Sequence, residues 1–109
     1  MTSAVFFTKQ GQICGFRISG HTDNAGSDEA RLVCSAVSSA AYMAANTITE
    51  VVGDTPQISV SDGKMSLLLD GAVSQGAQVV LDGLQLHLSG LQEQYPNFIH
   101  IKMEVQHDA

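Results

Sequence analysis

Residues 18–43 read ISGHTDNAGSDEARLVCSAVSSAAYM, and their reading sets the fold. The first three residues end an apolar strand at Gly20. A short polar loop follows, and then the apolar positions change spacing. From about Glu29 to Val52, Leu32, Ala36, Val37, Ala40, Met43, Ala44, Thr47, Ile48 and Val51 recur at steps of three and four. That period predicts a helix with one apolar stripe. Ser27 or Asp28 can cap its start, because either side chain can accept from a backbone N–H of the first turn. Gly53 is a natural stop and Pro56 prevents continuation. The small residues of SAVSSAA would let another element approach the first half of the helix closely.

Working outward, AVFFT (residues 4–8) and CGFRIS (residues 14–19) predict two strands around a turn at Gly11. Beyond the helix, residues 58–61 and 65–69 predict a second hairpin around Asp62-Gly63, a strong turn signal. A second helix is predicted from about Val73 to Gln94, with Val73, Ala77, Val80, Leu81, Leu84, Leu88 and Leu91 as its stripe. Gly76, Gly83 and Gly90 recur at seven within it. Each costs roughly 1 kcal/mol against alanine in a helix, so close packing within the chain or across a dimer is their expected return. Pro96 ends this helix. Residues 98–105 predict a last strand, with Phe98, His100, Lys102 and Glu104 alternating against Ile99, Ile101, Met103 and Val105. The order strand, strand, helix, strand, strand, helix, strand implies an α+β fold, one mixed or antiparallel sheet carrying two helices on a face.

The 109 residues and 44% hydrophobic content suit one domain over residues 1–109 with a modest core. Any site should therefore lie on an edge or groove, or be completed by a second subunit. Five Lys and Arg against 11 Asp and Glu give a formal charge of -6, which argues against a phosphate-binding surface. No direct nucleic-acid partner is expected; a basic peptide fits better. The N-terminal MTSAVFFTKQGQ lacks the basic start and long apolar run of a signal peptide, and no apolar run reaches membrane-spanning length. A cytoplasmic protein with no membrane association is expected, and Cys14 and Cys34 read first as thiols.

Cys34 falls in the first turns of the predicted helix, where unpaired N–H groups and the dipole favour a thiolate. His21 ends a strand after Gly20, which permits an unusual turn. The loop at residues 22–30 could bring the two together as nucleophile and proton carrier. Asp23, Asp28 and Glu29 are candidates to orient the imidazole. Arg31, one turn before Cys34, could contact substrate or lie in solvent. Ser38 shares the Cys34 face, and Ser35 could add its backbone N–H to form an oxyanion site. Against these stand bland readings: a buried structural cysteine and an ordinary turn histidine. Cys14, at a strand start, reads as packing. Zinc would need two ligands beyond His21 and Cys34. There is no H-E-x-x-H, C-x-x-C or phosphate loop, so neither metal nor cofactor is expected. His87, His100 and His107 have no evident role, and residues 106–109 read as a tail.

SGH, a polar loop and then LVCSAVS closely resemble the ribosomal-processing cysteine protease family, and the resemblance extends through EQYPNFI to the last strand. That family pairs Gly-His with Asp-aliphatic-Val-Cys-Ala-Ala-Val-Ser. Gly20 and His21 match the first pair; Val33, Cys34, Ala36, Val37 and Ser38 match most of the second. Arg31 stands where the family has Asp, and Ser35 where it has Ala. The resemblance implies a bacterial cytoplasmic enzyme, usually homodimeric, with His21 and Cys34 as its dyad and a loop between them that controls substrate access. It implies removal of a short N-terminal extension from a precursor large-subunit ribosomal protein, with a Phe on the unprimed side of the cut. From the residues alone, a non-enzymatic assembly or protein-binding module and a non-proteolytic thiol enzyme remain open.

Overall fold

The computed structural model describes residues 1–20 and 27–106. Strands β1 (Thr2–Lys9) and β2 (Gln12–Gly20) form an antiparallel hairpin. Its turn, Gln10-Gly11, has positive φ at both residues, 54° and 80°, as a tight hairpin matched to strand twist requires. Glycine takes that conformation freely, whereas glutamine pays for its Cβ. Gln10→Asn is therefore expected to stabilise the domain by about 0.5–1 kcal/mol, seen as a raised urea midpoint at unchanged slope.

Helix α1 (Asp28–Asn46) starts where Ser27 Oγ accepts from the Ala30 N–H at 3.1 Å. The sequence predicts one continuous helix to Val52, but the structure changes to a π-helical segment at Thr47–Val52. The sequence there, TITEVV, is crowded with β-branched residues, which fit an α-helix poorly. Thr47 and Thr49 also donate hydroxyl hydrogen bonds back to the carbonyls of Met43 (2.7 Å) and Ala45 (3.1 Å), a pattern that loosens helices. Gly53, at φ 89°, ends the segment as expected.

The predicted stripe of α1 is rotated in the structure. Val37, Ala44 and Ile48 are buried as expected, but Val33, Ala41 and Ala45 complete the buried face. Leu32, Met43 and Val51 are exposed. Small residues rather than the largest ones make up the buried face of α1.

Strands β3 (Gln57–Ser61) and β4 (Lys64–Leu68) form the second hairpin around Asp62-Gly63. Helix α2 (Gln75–Gln94) begins two residues later than predicted. Ser74 Oγ accepts from the Ala77 N–H and donates to the Asp54 carboxylate at 2.6 Å, joining the end of one helical unit to the start of the next. Ala77, Leu81, Leu84 and Leu88 are buried, as the stripe predicts. Of the three glycines only Gly76 is a close approach: a Cβ there would lie 3.0 Å from Val52. A Cβ added at Gly83 or Gly90 would meet nothing within 4 Å among the described residues beyond its own stretch of helix backbone. Gly90→Ala should thus gain helix propensity, about 0.5–1 kcal/mol, measurable as a higher thermal midpoint.

The last strand, β5 (Ile99–Val105), pairs parallel with β1, from Thr2 opposite Ile99 to Thr8 opposite Val105. The five-stranded sheet is therefore mixed, in the order β3-β4-β2-β1-β5. Strand alternation divides the apolar residues between its two faces. Ala4, Phe6, Phe16, Ile18, Met65, Leu67 and Ile99 pack under the helices. Val5, Phe7 and Cys14 form a smaller cluster with Leu68 and Val73. There the Arg17 guanidinium lies 5.5 Å from the centre of the Phe7 ring. Cys14 is 1% exposed, in keeping with a packing role. Gln106 continues the β5 pairing through a 2.7 Å bond from its N–H to the Thr8 carbonyl; the rest of the expected tail, 107–109 with His107, lies outside the described residues.

Candidate active site

Cys34 opens into a cleft of about 130 Å³ between α1, the end of β2 and the β3–β4 hairpin. Cys34, Ser38 and Tyr42 come from α1 at successive steps of four, so one helical face supplies a wall. Ala41 adds to it. Ile18, Ser19 and Gly20 of β2 and Thr2 of β1 form the floor, with Met65 beside them. Val60, Ser61, Gly63 and Lys64 supply the far wall.

Two contacts fix that far wall relative to the end of β2. β2 and β4 pair up to Ser19 opposite Lys64. One residue further, the Gly20 N–H donates to the Gly63 carbonyl at 3.1 Å. Gly63 sits at φ 70°, and a Cβ on it would lie 3.0 Å from the Gly20 carbonyl oxygen. Both glycines allow the turn and the strand end to meet, immediately before His21 in the chain.

The sequence candidates separate in space. Gly20, Cys34 and Ser38 line the cleft together. Arg31 and Asp28 do not. They form an exposed i,i+3 pair at 3.3 Å on the first turn of α1, so Asp28 engages Arg31 there. Ser35 is exposed and also lies outside the lining. Because α1 begins at Asp28, Cys34 is its seventh residue. The N–H groups of Cys34 and Ser35 thus fall beyond the four that a helix leaves unpaired at its start. Cys34 thus sits in the second turn of α1, one residue further from the helix start than the predicted beginning at Glu29 gives.

His21, Asp23 and the loop stretch 21–26 lie outside the described residues. Residues 28–30 of the expected loop are helical. Cys34 and Cys14 are both free thiols. Among the described residues no three potential ligands cluster as a metal site, and no helix is long and apolar enough to cross a membrane. The described lining of the cleft carries one charged side chain, Lys64.

Sequence reasoning did not find Tyr42 or the Val60–Lys64 wall. Tyr42 had a signal, since it continues the step of four from Cys34 through Ser38. The hairpin wall had none, because it reaches the site through strand pairing alone.

A protein-family profile described as Cysteine protease Prp matches residues 1–100. No curated protein matches the chain. Among solved structures, SMU.848 from Streptococcus mutans is 23% identical, with 97% of this chain and 99% of that one covered at a TM-score of 0.86. The essential ribosomal processing protease Prp from S. aureus, in complex with a substrate peptide, is 19% identical at a TM-score of 0.87, covering 95% of this chain and all 100% of that one. The same S. aureus protease with a covalently linked product peptide gives 21% identity and a TM-score of 0.83 at the same coverage.

Proposed function

The chain belongs to the cysteine protease Prp family, and from that premise we propose that Cys34 and His21 form its catalytic dyad. The observation that carries this reading is the common cleft. Cys34 opens into it, and Gly20, the residue before His21, lines its floor.

In this mechanism His21 takes the Cys34 thiol proton, and the sulfur attacks the scissile carbonyl carbon. A tetrahedral intermediate forms and collapses as the C–N bond breaks. His21 returns the proton to the departing amine and then draws one from water, which adds to the thioester and frees the acid. Gly20 shapes the approach to His21, and Ser38 offers a hydroxyl to substrate one turn along α1. Ser35, Arg31, Asp28 and Asp23 are proposed in lesser supporting or orienting roles. Of the expected 22–30 loop, residues 22–27 are proposed to control substrate access, since 28–30 belong to α1.

The proposed substrate is a precursor ribosomal protein with a short N-terminal extension. The S. aureus relative, a ribosomal processing protease, supports that class by fold and family. The apolar part of the cleft, with Ile18, Ala41, Tyr42, Val60 and Met65, suits a Phe on the unprimed side. A cytoplasmic homodimer is part of the same proposal. The small-residue groove between the helices, with Ala36, Ala40 and Gly83, is a surface on which a second copy could pack closely.

The test is incubation with candidate precursor ribosomal proteins from the same cell, followed by intact-mass analysis. One precursor should lose a defined N-terminal segment. Failure of every such precursor to be trimmed by folded protein would remove the substrate assignment. Sedimentation at micromolar concentration should give twice the 11.5 kDa chain mass; a monomer would remove the dimer.

A further inference from the structure

The wall of the cleft facing Cys34 is also the open edge of the sheet. β3 is the terminal strand in the order and, among the described residues, pairs only with β4. All five of its residues are exposed. Ser61 and Lys64 flank a two-residue turn and face each other, so they are a hydrogen-bonded pair. Alternation then turns the N–H and C=O groups of Ser59 and Gln57 toward β4 as well. It leaves those of Ile58 and Val60 pointing away from the sheet. Natural proteins commonly blunt such an edge with a lysine, a proline or a bulge within the strand. The edge QISVS has none.

Two further features point this edge at the active site. Val60 and Ser61 line the Cys34 cleft directly. Ile58 and Val60 share a face with Met65 and Leu67, toward the helices, yet remain 43% and 55% exposed. Tyr42, 46% exposed, stands on the α1 side of the same cleft. An unpaired strand and an apolar strip therefore run together into the site of the nucleophile.

We propose that the substrate peptide binds as an added strand along β3, hydrogen-bonded to the outward backbone groups of Ile58 and Val60. The occupant is the extended segment next to the scissile bond. Backbone bonding gives a grip independent of side-chain identity, while alternate side chains fall toward the cleft. Ile58 and Val60 are binding and positioning residues that fix register, since a peptide shifted by one residue would present the wrong face. The proposal rests on the peptidase reading above and deepens it.

The test uses the full chain and a synthetic peptide spanning the cleavage site found by intact-mass analysis. Each amide near the cut is replaced in turn by an ester, which deletes one N–H. Losses in kcat/KM of about tenfold are expected at alternate residues, with small effects between them. Ile58→Pro removes an outward donor at a position where edge strands tolerate proline. It should also cost about tenfold, mainly in KM, whereas Ile58→Thr, which keeps the N–H, should cost less. Losses without a two-residue period would overturn the proposal, as would a folded Ile58→Pro variant with unaltered kcat/KM. If Ile58→Pro does not fold, the ester series on the unaltered enzyme decides. Absence of cleavage of the unmodified peptide would instead strike the peptidase reading, so the two failures are distinguishable.

Discussion

Cys34→Ala is expected to reduce precursor trimming by at least about 10³-fold in kcat/KM, to the background of uncatalysed hydrolysis. An alanine cannot form the acyl-enzyme, and no second thiol lines the described cleft to replace it. The side chain is only partly buried, so the variant should keep its fold and its urea midpoint within about 1 kcal/mol of the parent. Cys14→Ala is the informative control. Cys14 is on the opposite face of the sheet, so its loss should lower stability but leave the cleavage rate per folded molecule intact. Iodoacetamide should alkylate Cys34 well before Cys14 in the folded protein. Equal trimming by the parent and Cys34→Ala would remove Cys34 as nucleophile, whatever else the cleft binds.

Gly15→Ala is the second large effect, and it acts through the fold. Gly15 lies on β2 between its two neighbours, opposite Phe7 of β1 and Leu68 of β4. A Cβ there would collide with the Leu67 carbonyl oxygen and approach the Leu68 Cα at 3.0 Å. Those atoms are backbone, so no rotamer change relieves the clash. β4 must move away from β2, and the ladder must open beside the buried Leu67. The expected cost is about 3 kcal/mol or more, a large share of the 5–15 kcal/mol that holds a domain of this size. Equilibrium urea unfolding measures it. Because β4 leads directly into the hairpin wall of the cleft, a surviving folded fraction should also bind substrate less well. A midpoint equal to that of the parent would mean that β4 can shift without loss.

The elements of this fold were legible because their signals are local. Gly11 and Asp62-Gly63 mark turns, Ser27 caps α1, and leucines repeat on α2. Helix α1 was harder to orient because its buried face is made of alanines and valines. Hydrophobic size pointed instead to Leu32 and Met43, which are exposed. The continuous-helix reading failed at Thr47–Val52 because periodicity cannot see how β-branched crowding alters hydrogen bonding. Sheet order was not legible at all: nothing local in Ile99–Val105 says that it pairs with β1.

The candidate site divides along the same line. Cys34 and Ser38 share a helix, so their joint placement follows from a step of four. Gly20 joins them as the end of a neighbouring strand. The far wall from Val60 to Lys64 depends on the pairing of β4 with β2, which no spacing encodes. Arg31 and Asp28 were near Cys34 in sequence but lie outside the described lining of the cleft and pair with each other on the exposed first turn.

The parallel partnership of β1 with β5 has a kinetic meaning. Both hairpins close through two-residue turns and can form as soon as their strands exist. Joining Thr2 to Ile99 instead brings together nearly opposite ends of the chain. The entropy of closing so long a loop rises only logarithmically, so the equilibrium penalty is modest. Its weight falls on the rate, because non-local pairings slow the search for the native topology. Until β5 docks, β1 presents an open edge carrying Phe6 and Phe7. That half-finished sheet is the species in which self-association competes with folding.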